Sequence, residues 1–105
     1  MEKKIIWGSH AKISYNDELD FIFEKWNIAE VEKFILLVNK HLDSLKSGVL
    51  EGKVSKKTAI KSIVISKQTT LFFDVNENRI ELLLFWNNEK SPSMLKKVLS
   101  RIKRK

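Results

Sequence analysis

An α+β domain is predicted by three features of the sequence. Apolar residues recur with a helical period from Ser9 to Leu45, the period falls to two between Thr58 and Trp86, and a serine–proline pair then opens a third helical stripe. The resulting order is β-α-α-β-β-β-α: an N-terminal strand and a helical hairpin packed on an antiparallel β-sheet, with a short C-terminal helix. No internal repeat, linker or low-complexity segment divides the chain, so residues 1–105 are expected to form a single domain. A chain of this size buries roughly two-thirds of its unfolded surface, enough for one core.

The run "KKIIWG" is a short strand, and Ser9 after it is a candidate helix N-cap. Tyr15, Leu19, Ile22, Phe23 and Trp26 then fall on one helical face. Asn27 can cap a second helix, in which Ile28, Val31, Phe34, Ile35, Val38, Leu42 and Leu45 keep the same period while Glu30, Glu32, Lys33, Lys40 and Asp43 face outward. So short a connection makes the pair an antiparallel helical hairpin. Gly48 and Gly52 mark its end, and "KVSKK" reads as a polar, basic link.

"TAIKSIVIS", "TTLFFDV" and "RIELLLFW" read as three strands, the last two joined by the turn "NENR". Strict alternation places Ile80, Leu82, Leu84 and Trp86 on one face with Leu71, Phe73 and Val75, under the helices, and Phe72, Leu83 and Phe85 on the other. Trp7, Trp26 and Phe34 are likewise assigned to the core. The second face needs a cover, because a contiguous apolar patch is a liability in water. The C-terminal helix or a partner can supply it. Ser91 caps that helix, Pro92 opens it, and Leu95, Val98, Leu99 and Ile102 form its stripe.

The net charge of +7 is unevenly spread. Residues 1–52 carry seven lysines against nine carboxylates, a balance of −2, whereas residues 53–105 carry thirteen Lys or Arg against four carboxylates, a balance of +9. An acidic partner or a polyanion is drawn to the second half. Lys53, Lys56, Lys57 and Lys61 crowd the first strand of that half, Lys67 and Arg79 lie at strand ends, and Lys90 follows the last strand. These seven can form a phosphate- or target-binding rim, or an ordinary solvated surface.

The absence of cysteine excludes a disulfide framework, a thiolate metal site and a cysteine nucleophile, and it suits a reducing cytoplasm. "MEKKIIWGSH" has too short an apolar run for a signal peptide, and no stretch is long enough to span a bilayer, so a soluble cytoplasmic protein without a membrane role is expected. His10 and His41 show no ligand spacing, no glycine-rich phosphate loop occurs, and no metal or cofactor is expected.

The opening "IIWGSHAK", the second helix ending "LDSL", the glycine before a basic link and, most of all, "ISKQTTLFFDVNENRIELLLFWNNEKSP" resemble the RelE/ParE superfamily of bacterial type II toxin–antitoxin systems. The resemblance implies a growth-inhibiting toxin of the plasmid-stabilisation type, neutralised by a cognate antitoxin. Antitoxin tails in this family are commonly acidic and amphipathic, which suits the +9 half; Phe72, Leu83 and Phe85 are the residues expected to receive one.

The family has two activities. RelE-like members are ribosome-dependent mRNA endoribonucleases that use basic residues on the second and third strands and after the last strand, with a tyrosine near the C-terminus. Lys61 matches one of these positions, while the others fall near Thr70, near Asn87 or Asn88, and near Met94; the only tyrosine, Tyr15, is on the first helix. A divergent nuclease would draw on Lys57, Lys61 and Lys90. ParE-like members act on DNA gyrase without a known hydrolytic site and require none of these. A gyrase-directed toxin is slightly favoured, with the ribosomal nuclease as the alternative and a non-toxic RNA- or protein-binding module third.

Overall fold

The computed structural model describes residues 2–55 and 59–103. Strand β1 (Lys4–Trp7) leads into helices α1 (Ser9–Lys25) and α2 (Ile28–Ser47), followed by β2 (Lys53–Val54), β3 (Lys61–Val64), β4 (Thr69–Val75), β5 (Arg79–Asn87) and helix α3 (Pro92–Lys103). The five strands lie in the order β1-β5-β4-β3-β2. All pairs are antiparallel except β1 with β5, which the helical hairpin makes parallel by carrying the chain back across one face. The predicted α+β architecture is the observed one.

Two details go beyond it. The "KVSKK" link contributes β2, a two-residue exposed strand too short to show any alternation. The strand expected from Thr58 is confined to Lys61–Val64, and Thr58 itself lies outside the described residues. Glycine is required at Gly52, whose φ is +79° and whose added Cβ would come within 2.7 Å of the Phe73 ring.

The hairpin layer packs on the sheet through Ala11, Ile22, Val31, Phe34, Val38, Leu42 and Leu45, which meet Leu71, Phe73, Ile80, Leu82 and Phe85. Asn27 caps α2 as expected, its side-chain oxygen accepting from the Glu30 N–H at 3.0 Å. For α1 the cap position is Gly8, without a side-chain bond, and Ser9 is the first helical residue. The buried stripe of α1 runs through Ala11, Glu18 and Ile22. Phe23 stands a helical step of about 100° away from Ile22, and α1 ends at Lys25, so Phe23 and Trp26 remain 57% and 48% exposed and do not join the core. Trp26 sits at the hairpin tip, edge-on to Phe21, with the Lys25 ammonium 4.9 Å from its ring centre.

The face assignment of β5 changes partway along the strand. Phe72 pairs with Leu84 but Phe73 pairs with Leu82, so Leu83 is an extra residue and the ladder is bulged. One inserted residue reverses the alternation beyond it. Ile80 and Leu82 face the hairpin as expected. Leu84 and Trp86, assigned to that face by strict alternation, instead lie with Leu83 and Phe72 on the other, while Phe85 turns under the helices. There it stacks on Trp7 at 5.5 Å and meets Tyr15 at 5.1 Å.

The second face is covered by the chain itself. Leu95, Val98, Leu99 and Ile102 of α3 pack on Ile60, Leu83, Leu84 and Trp86. The bulge predicts an asymmetry between neighbouring phenylalanines in the sheet: Phe85→Ala should cost about 3–5 kcal/mol in urea unfolding, and Phe72→Ala, at a half-buried position, clearly less. Equal losses at both positions would contradict the bulged register.

Candidate functional site

The lysines and arginine singled out in the sequence do not converge. Lys61 lies opposite Phe73 in the β3–β4 ladder and shares its face, lining a depression under the hairpin with Lys3, Leu45 and Glu51. Lys53 pairs opposite Ser62 and lines the groove beside α3, on the other face. Lys67 sits in the exposed β3–β4 turn and Lys90 after β5, at the end of the sheet opposite Arg79; the seven-residue β4 separates these ends by about 20 Å. Lys90 rests over the Trp86 ring at 5.4 Å. Lys56 and Lys57 lie outside the described residues. The candidate nuclease residues Lys61 and Lys90 thus occupy opposite layers and opposite ends.

At the two other positions where the resemblance expects basic side chains, near Thr70 and near Asn87 or Asn88, the structure holds neutral side chains engaged in hydrogen bonds. Thr70 Oγ1 donates to Asn88 Oδ1 at 2.9 Å. Asn87 is 4% exposed and donates through Nδ2 to Glu18 Oε1 at 3.2 Å. Thr69, its register partner across the ladder, donates to the other oxygen of the same carboxylate at 2.5 Å. Asn87 Oδ1 in turn accepts from the Glu89 N–H. A carboxylate buried to 4% exposure is tolerated because each oxygen receives a bond.

Sequence reasoning missed Glu18. Its signal was the pair Ser14 and Glu18, one turn apart on the stripe that otherwise runs Ala11 to Ile22. Glu18→Ala should strand both donors and lower stability by about 2–3 kcal/mol, and Glu18→Gln, which keeps an acceptor, by less; equilibrium unfolding distinguishes the two.

Tyr15, the only tyrosine, is packed between Trp7 and Phe85, with both ring centres at 5.1 Å. It is a core aromatic on the hairpin side, while Met94, at the position where the resemblance expects a tyrosine, is exposed. Burial raises the Tyr15 hydroxyl above its ordinary value of 10.0. The unfolded chain therefore releases this proton first, and stability falls as pH rises past about 10. Titration of the single phenol by ultraviolet absorbance should give a midpoint above that of free tyrosine, returning to normal in denaturant.

A groove of about 450 Å³ lies on the α3 side, between α3 and the β2–β3–β4 part of the sheet. Phe72 forms part of its floor. Leu83 lies farther along, beside a polar hollow with His10, Asp74 and Glu81. Of the three residues expected to receive an antitoxin, Phe72 and Leu83 belong to this face and Phe85 does not. Among the described residues no group of His, Asp and Glu could hold a metal ion, and no helix is long and apolar enough to cross a membrane.

No family model matches the chain, and no curated protein matches it. A solved structure described as a chromosomal ParDE TA system from P. aeruginosa contains a chain that superposes with a TM-score of 0.68 at 12% identity, covering 82% of this chain and 96% of that one. The likeness shows the fold. This chain has the fold found in a toxin–antitoxin system, as the sequence resemblance implied.

Proposed function

We propose that this chain is the toxin component of a type II toxin–antitoxin module, acting on bacterial growth from the cytoplasm and neutralised by a cognate antitoxin. The observation that carries this reading is the fold shared, over 82% of the chain, with a ParDE system. The +9 balance of residues 53–105 supports an acidic antitoxin segment, and the half-buried Phe72 and the Lys53 beside it offer such a segment apolar and charged contacts on the α3 side.

Within this class a ParE-like, gyrase-directed and non-hydrolytic action is favoured. A phosphodiester-cleaving site needs cations gathered around one phosphate, and Lys61 and Lys90 stand in opposite layers. Ribosome-dependent mRNA cleavage is the second reading, kept by the match of Lys61 to a basic position of the RelE-like members.

Induced expression in a bacterial host, with translation and DNA supercoiling followed in one culture, tests the proposal. Altered supercoiling and DNA damage with continuing early translation are expected, and Lys61→Ala should leave toxicity unchanged. Rapid message cleavage abolished by Lys61→Ala would replace gyrase with the ribosome as target. Unimpeded growth in the presence of well-folded protein would replace the toxin reading with a non-toxic binding module on the same fold.

A further inference from the structure

The groove beside α3, whose Phe72 and Lys53 the toxin reading offers to an antitoxin segment, also has the chemistry of a small-ligand site. Its floor and inner wall are apolar, with Ile60 and Phe72 from the sheet side and Leu95 and Leu99 from α3. Lys53 on β2 and Lys96 on α3 line it as well, and no carboxylate is among the described residues that do. We propose that this groove binds a slender anionic amphiphile: a single alkyl chain carrying a carboxylate.

Size and charge together select this occupant. The volume of about 450 Å³ lies in the range of ligand sites, roughly 300–1,000 Å³, and holds about fifteen groups the size of a water or methylene. The space of about 450 Å³ holds little more than one turn of a helix about 10 Å across, whereas an alkyl chain can lie against Phe72, Leu95 and Leu99. Two ammonium groups from opposite walls favour a carboxylate at the mouth and disfavour a cationic head. The half-buried stripe of α3 then gains apolar cover on its open side. This inference goes beyond the antitoxin reading and does not depend on it.

Dodecanoate below its micelle concentration, titrated into the full chain by calorimetry, tests the proposal. One saturable site with a Kd on the order of 10 µM is expected, with dodecyltrimethylammonium binding at least about tenfold more weakly. Charge reversal by Lys53→Glu with Lys96→Glu should weaken dodecanoate by about tenfold or more, and Ser100→Trp, a filling substitution at the exposed rim, should abolish the site. Amide chemical shifts of the unaltered protein give a check that needs no variant: perturbations should centre on Phe72 and Leu99. Equal binding of the cationic homologue, heats without saturation, shifts centred on the hairpin face, or a glutamate-rich peptide saturating the groove where dodecanoate does not would each overturn the proposal.

Discussion

Strand β5 has an outer edge that β1 covers only halfway, and much of the architecture is the solution to that problem. The parallel ladder ends at Trp7 opposite Leu82, and the Gly8 N–H adds a last bond to the Leu82 carbonyl at 3.0 Å. Beyond it β5 continues to Asn87 with no strand on this outer edge among the described residues. A buried backbone donor left there would cost about as much as a lost hydrogen bond. Helix α1 closes the gap: Ser14 Oγ accepts from the Phe85 N–H at 2.9 Å while donating to the His10 carbonyl, and one turn later Glu18 receives Asn87. This requires α1 to lie close against the strand. Ala11, fully buried, and Gly8, where a Cβ would come within 2.8 Å of the Leu82 carbonyl oxygen, permit the approach.

The bulge at Leu83 belongs to the same solution. Without the extra residue Phe85 would face α3; with it, the ring enters the space beside Trp7 and Tyr15, and Asn87 rather than Asn88 reaches Glu18. Element type and order were legible because they rest on local signals: the helical period, the Asn27 cap, the turn residues before Arg79 and the serine–proline start of α3. The bulge was not. In "RIELLLFWN" the six residues from Ile80 to Phe85 include five that are apolar, so alternation carries no information about which face each takes, and a strand buried on both sides reads as a continuous run. Trp26 failed for a related reason: its spacing fits the stripe, but the backbone has left the helix before the ring could be placed on it.

Site residues were less legible than fold because charge composition is additive along the chain while a site depends on convergence in space. The +9 balance of residues 53–105 is real as a long-range field, yet β4 and β5 distribute its members over two faces and two ends of the sheet. Lys61 and Lys53 are separated by the pleat even though their strands are adjacent: Lys61 follows Phe73 into the hairpin layer, and Lys53, opposite Ser62, turns to the α3 layer. Glu18 shows the opposite case. It looked like one more surface acid on a helix, and only the three-dimensional pairing of Thr69 with Asn87 gives it two donors and a reason to be buried.

Helix α3 combines an apolar stripe with a basic outer surface. Twelve residues are too few to hold a helix in water unaided, so α3 depends on setting Leu95, Val98, Leu99 and Ile102 on the face that the bulge creates from Leu83, Leu84 and Trp86. The same geometry points Lys96, Lys97 and Arg101 outward, one basic side chain beside another with no acidic residue in the helix to offset them. Beside that charge lies the groove that α3 leaves open at Phe72. The bulge in β5 thereby determines not only which aromatic ring completes the core, but also which apolar residues α3 packs against.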